Sequence, residues 1–186
     1  MNVKIICRIS LVIMALILSK NVKGQYGTYW GGGVNFGAGN NSLNLGIKPE
    51  IVHAFSRFFD LGGALNVDYL STLSNDNVNP QYKKFSLGIG LISRFWIADN
   101  FVVSCIPEYN WIQFTAQNPQ SSLTTTVTNQ TPSILLGLGY GTHESDGIVY
   151  FVSIFYDVLN NPTSPYYSPT GQLPFIRAGI GFYFKH

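Results

Sequence analysis

From residue 28 to residue 184 the chain alternates. In stretch after stretch, large apolar side chains take every second position, and small or polar ones fill the positions between. A period of two is the signature of an extended strand with two unlike faces. Eight such runs are predicted, at 28–38, 43–55, 60–71, 82–97, 101–115, 132–142, 147–157 and 173–184. None shows the 3.6-residue spacing of an amphipathic helix. In the third run Leu61, Gly63, Leu65, Val67 and Tyr69 share one face, and Gly62, Ala64, Asn66 and Asp68 the other. In the last, Ile176, Ala178, Ile180, Phe182 and Phe184 oppose Arg177, Gly179, Gly181 and Tyr183.

Charge follows the same parity. Lys48, Glu50, Asp68, Arg94, Glu108, Asp157 and Arg177 all point the way the glycines do. Charged residues are 11% of the chain, against about 25% in an average soluble domain, while 46% is hydrophobic. This composition excludes intrinsic disorder. Eleven basic against nine acidic residues leave no basic field for nucleic acid. Two folds remain. In a soluble sandwich or lipocalin-like barrel the large face is the core. In a membrane barrel the large face meets lipid and the small, charged face fills the lumen.

The first 24 residues stand apart. Lys4 and Arg8 precede an uncharged apolar run, Ile9 to Leu18, followed by a more polar stretch with small residues ending at Gly24. This reads as a signal peptide, with cleavage expected after Gly24. Its apolar core is far shorter than the about 20 residues of a spanning helix. Residues 25–186 are then the barrel domain. They keep seven basic and nine acidic residues and one cysteine, Cys105, so no internal disulfide is expected.

The connections separate the two folds. Tight ones are predicted around Ser56–Arg57, Asp99–Asn100 and His143–Gly147. Long ones, rich in Asn, Pro, Ser and Thr, are predicted at 72–81, 116–131 and 158–172. In an up-and-down barrel these three long loops fall at one end, with a short first connection around Gly39–Asn41, and the three tight turns fall at the other, the asymmetry of outer-membrane barrels. Aromatic residues gather in two belts. Trp30, Phe55, Phe58, Phe59, Phe95, Trp96, Phe101, Tyr150, Phe182 and Phe184 mark the tight-turn end. Tyr69, Tyr82, Phe85, Tyr109, Trp111, Phe114, Tyr156 and Phe175 mark the loop end. Such belts suit the two bilayer interfaces. The expected fold is therefore all-β: an eight-stranded antiparallel up-and-down transmembrane β-barrel.

With these features the chain resembles the small eight-stranded outer-membrane barrels of the OmpA transmembrane-domain and OmpX type. The last strand carries the most specific part of the likeness. Arg177, Gly179, Phe182 and Phe184 match the polar, glycine, aromatic, aromatic spacing of that family's C-terminal assembly signal. The resemblance implies export to the outer membrane, contact with its lipid, and recognition by the barrel-assembly machinery during insertion. The chain departs from the pattern by continuing to Lys185 and His186. Pro49 and Pro107 also fall inside predicted strands, marking either bulges or misplaced strand limits.

Function is less constrained. Eight strands leave an interior that side chains can fill. Seven charges there would have to pair, because an unpaired buried charge is costly. The favoured reading is a plugged polar lumen in a scaffold without enzymatic activity. That scaffold would present 72–81, 116–131 and 158–172 to an extracellular partner, with no cofactor, no metal and no nucleic acid. The alternative is a narrow channel for small solutes. A third reading, a lipid A-modifying enzyme, rests on His143 and Ser145, whose His-x-Ser spacing resembles that of lipid A deacylases. Their position in a tight turn on the periplasmic side argues against it. Tyr166 and Tyr167 are open between a contact surface and a solvated loop. No helix follows Gly31-Gly32-Gly33 or the Gly-x-Gly repeats, so a phosphate loop is not expected.

Overall fold

The structure is a computed structural model that describes residues 27–39, 42–72, 81–97, 100–117, 124–142, 148–168, 171–172 and 174–184. The signal segment 1–24, the turn His143–Gly147 and most of 72–81 lie outside them, as do Lys185 and His186. Eight strands close into a barrel in the order β1-β10-β7-β6-β5-β4-β3-β2. They are β1 (Thr28–Gly39), β2 (Ser42–Ser56), β3 (Phe59–Thr72), β4 (Gln81–Ile97), β5 (Phe101–Gln117), β6 (Thr124–Thr142), β7 (Ile148–Asp157) and β10 (Phe175–Tyr183). Between β7 and β10 a two-stranded ribbon forms from β8 (Tyr167–Ser168) and β9 (Gly171–Gln172).

Every barrel pairing is antiparallel, and β10 closes the ring on β1 with Trp30 opposite Phe182 and Asn35 opposite Arg177. Closure removes the sheet edge that hydrocarbon could not satisfy. Side-chain direction follows parity all round. Leu138, Ile51 and Ile154 are at least 60% exposed on the outer wall, whereas Lys48, Asp157 and Arg177 are at most 1% exposed inside. Among the described residues only two charged side chains, Arg57 and Lys83, are exposed, and both lie near strand ends. A closed barrel that is apolar outside and charged inside is a transmembrane barrel, not a soluble one.

Three expectations change. The stretch 116–131 is largely strand rather than loop: β5 runs to Gln117 and β6 starts at Thr124, paired as a long hairpin. The reason is composition, since Thr124–Thr128 is rich in β-branched residues that extend a ladder readily. Trp96 and Phe175, assigned to the aromatic belts, are each 2% exposed and point inward, on the parity of Arg94 and Arg177. Neither proline makes a bulge. At Pro49 the β2–β3 register is unchanged between Ile47↔Val67 and Glu50↔Ala64, and at Pro107 the β4–β5 register is unchanged between Gly90↔Glu108 and Ser93↔Cys105. The ladder simply skips those rungs on one side, where proline has no N–H to give.

Candidate functional site

Among the described residues, charged side chains converge in the polar interior. It is built in two halves. Toward the tight turns, β1, β2, β3, β4 and β7 contribute Tyr29, Glu50, Asp60, Arg94, Trp96 and Phe151. The Arg94 guanidinium donates to both Glu50 oxygens, at 2.7 and 2.8 Å, and to the Tyr29 hydroxyl at 3.0 Å. Tyr29 and Trp96 in turn donate to Asp60 Oδ2, at 2.9 and 2.8 Å. The Arg94 guanidinium also lies 4.2 Å over the Phe151 ring. Both bonds to Glu50 come from one nitrogen, Nη2, and are charge-assisted, while Nη1 serves Tyr29.

Above it, Lys48 pairs with Glu108. Asn35 bridges two charges of opposite sign. It accepts from Arg177 Nε at 2.6 Å and donates to Asp68 Oδ1 at 2.8 Å. The rest of the Arg177 guanidinium faces aromatic rings, 4.6 Å from the Phe155 centroid and 5.4 Å from Phe175. Asn66 donates to Asn110 at 2.9 Å and reaches Asp68 at 3.3 Å.

The connection after β7 then turns inward. Tyr166, at 0% exposure, stacks on Phe175 with ring centroids 4.5 Å apart and planes 11° off parallel. Its hydroxyl donates to Glu108 Oε2 at 2.8 Å, with Asp68 Oδ2 3.4 Å away. Three anchors hold the segment down. Lys84 Nζ donates to the carbonyls of Ser164 and Tyr167, at 2.8 and 2.6 Å. Ser164 Oγ donates to Asp157 Oδ2 at 2.6 Å, and Gln172 donates to the Asp157 carbonyl. Thr131 and Thr163 share a hydroxyl–hydroxyl bond. Residues 163–167 are thus not a free loop, and Tyr166 is neither surface nor solvated.

All seven charged residues named from parity are buried inside: Lys48, Glu50, Asp68, Arg94, Glu108, Asp157 and Arg177. They do not all pair with each other. Among the described residues there are two ion pairs, Lys48–Glu108 and Arg94–Glu50. Asp68, Asp157 and Arg177 are held by amides, hydroxyls, backbone N–H groups and rings instead. Parity also reaches Asp60 and Lys84, which the sequence reading passed over near strand ends, and Tyr29, which shares the face of Asn35. Nothing in the sequence marks Tyr166 as an interior residue.

Inward glycines make room for this filling. A Cβ on Gly46 would meet Asp68 Oδ1 at 2.0 Å, and one on Gly88 would meet Asn110 Oδ1 at 2.1 Å. Gly31, Gly32 and Gly33 lie within β1, so they form no phosphate loop. In the C-terminal strand Gly179 packs against the Phe151 ring, and Phe182 and Phe184 face outward. The Phe184 N–H donates to the Thr28 carbonyl at 2.9 Å, extending the closing ladder by one rung. His53 is exposed and contacts Thr28 at 2.9 Å. Among the described residues no group of three or more His, Cys, Asp or Glu could hold a metal ion.

No protein-family model and no curated protein matches the chain. Solved structures similar to it include the attachment invasion locus protein Ail of Yersinia pestis, in complex with the heparin analogue sucrose octasulfate. That match has 9% identity and a TM-score of 0.49, over 84% of this chain and 94% of that one. Neisserial surface protein A is similar at 10% identity and a TM-score of 0.45, over 87% and 98%. The N-terminal β-barrel domain of Pseudomonas aeruginosa OprF is similar at 10% identity and a TM-score of 0.36, over 84% and 99%. On its own strand order and faces, the chain is an eight-stranded up-and-down transmembrane β-barrel, the architecture of the small outer-membrane barrels its sequence resembles.

Proposed function

We propose that the protein is an outer-membrane scaffold with a filled, non-conducting lumen, exported by its first 24 residues. In this reading the tight turns face the periplasm and the barrel presents its other end to the outside. The observation that carries it is Tyr166, which seats a segment of the β7–β10 connection in the mouth of the lumen above the buried polar network. A solute path would have to displace that segment and break the bonds of Lys84 and Asp157 to it. The presented surface is the β5–β6 hairpin together with residues 72–81 and the exposed part of 158–172, residues 158–160 and 162–163, while Ser164, Pro165 and Tyr166 are turned inward. No enzymatic activity is proposed: among the described residues the interior hydroxyls and carboxylates are engaged in holding the strands and the returning segment together, as Ser164 and Asp157 are. The assembly machinery would read Arg177, Gly179, Phe182 and Phe184 during insertion.

Planar-bilayer recording tests the lumen. The wild-type protein is expected to show no steady conductance. A variant in which residues 160–172 are replaced by a short Gly-Ser linker is expected to pass small ions intermittently. Steady wild-type currents would overturn the scaffold reading in favour of a channel. Fractionation with heat-dependent gel mobility tests location: recovery as a soluble periplasmic protein without detergent would overturn it.

A further inference from the structure

The outer wall is not uniform. Most outward positions between the aromatic belts carry Val, Ile, Leu or larger side chains. On two adjoining strands the pattern lapses at Pro49 and Gly63, and β5 adds Pro107. The result is a groove of about 940 Å³ on the membrane face of β1–β5, near the upper end of the ~300–1,000 Å³ range of ligand sites. Ile51, Leu65 and Leu91 wall it, and Trp30 and Tyr109 stand at its two ends. Gly63 is its floor: a Cβ built there would meet no atom within 4 Å. The strand therefore does not need glycine at this position for packing against its neighbours. The two prolines face outward into the groove at the skipped rungs of the ladder.

We propose that this groove binds the acyl chain of a membrane phospholipid, on the reading that the barrel spans a bilayer. Three observations favour that occupant. The groove is continuous with the lipid-facing belt, so hydrocarbon is the phase beside it. Its lining is mostly apolar, and the Tyr109 hydroxyl is already bonded to Gln130 at 2.9 Å. It is also concave, and a two-fold dimer would bring the same concavity from each copy and leave a void. Between apolar surfaces in lipid, association rests on close packing rather than on water release. A groove lined by glycine and proline lets a flexible chain approach the backbone, where the bulkier outer wall elsewhere does not. Trp30 places one end of the groove at the tight-turn interface, which points to a lipid of that leaflet.

Native mass spectrometry of the full chain tests this. The protein is reconstituted in palmitoyl-oleoyl phosphatidylethanolamine bilayers and extracted into a mild, lipid-free detergent. Retained phospholipid is then counted per barrel. Wild type is expected to keep one. Gly63→Leu fills the floor without touching the fold, and Leu91→Trp crowds the wall from β4. Each is expected to lower retention about tenfold while heat-dependent mobility still reports a folded barrel. Leu138→Phe, which adds bulk on β6 away from the groove, is expected to retain lipid as wild type does. Undiminished retention in both occluding variants overturns the proposal. So does a wild-type barrel that keeps no lipid, or one that is recovered as a dimer.

Discussion

The two halves of the lumen are filled by different means. Toward the tight turns, every group comes from a barrel strand: Glu50, Asp60, Arg94 and Trp96 from β2–β4, with Tyr29 and Phe151 across from them. The direct Arg94–Glu50 pair is complete once the ring has closed. Toward the loops, the strands leave work undone. Lys84 ends on backbone carbonyls of the returning segment, Asp157 on Ser164, and Glu108 accepts from Tyr166 as well as from Lys48. The first half is a property of the barrel. The second depends on a connection that has to fold back into it. Damage to one should leave the other largely intact, since they share no hydrogen bond shown above.

The largest effect is expected from Arg94→Ala. It strands the Glu50 carboxylate at 4% exposure and deprives Tyr29 of a donor. Removing one member of a buried pair costs about 3–5 kcal/mol. Urea unfolding of the bilayer-reconstituted protein, followed by tryptophan fluorescence, would measure it. A loss under about 1 kcal/mol would mean that water reaches this half and screens the pair as it does at a surface. Tyr166 should stay seated in the folded fraction of that variant.

Tyr166→Phe probes the other half and is expected to do less. The ring still stacks on Phe175, but Glu108 and Asp68 lose their shared phenol donor. A hydrogen bond to a charged group is worth about 1.5–3 kcal/mol. Most of that loss should appear as local opening of 158–168, read as faster proteolysis of that segment, because the barrel ladder is untouched. If the urea midpoint falls as far as in Arg94→Ala, the two halves are one cooperative unit and the contrast fails.

The same division explains what could be read from sequence. Parity alone places Lys48, Arg94 and Arg177 inside, because a strand in a closed barrel has only two faces. It places Trp96 and Phe175 inside as well, but an aromatic near a strand end also suits an interfacial belt, and only the packing shows that both rings fill the lumen. What parity cannot supply is partner identity. Asp68 and Arg177 meet through Asn35, a residue 33 positions from one and 142 from the other. Tyr166 carries no period at all. It sits between Pro165 and Tyr167 in an uncharged stretch whose inward path is set by Lys84, Asp157 and Phe175 together. Long-range hydrogen bonds of a connection are not encoded in its local pattern, so that half of the interior became visible only in three dimensions.

The smallest effect bears on how tightly the returning segment is tied to the hairpin beside it. Thr131 is 1% exposed and its hydroxyl bonds that of Thr163. Thr163 is also bonded to Asn161 Oδ1 through its N–H, at 3.0 Å, and its hydroxyl, at 2.9 Å. Thr131→Val keeps the shape of the side chain and removes one neutral hydrogen bond, while Thr163 keeps Asn161. The expected loss is about 0.5–1.5 kcal/mol. It should appear as faster amide exchange across 158–168, with β1–β3 amides unchanged. The Ser133–Ser164 bond at 3.1 Å and the Lys84 anchor remain, so the segment should loosen without leaving the mouth. Exchange that quickens equally at Tyr29, Asp60 and Arg94 would show that the strand-borne half leans on the returning segment after all.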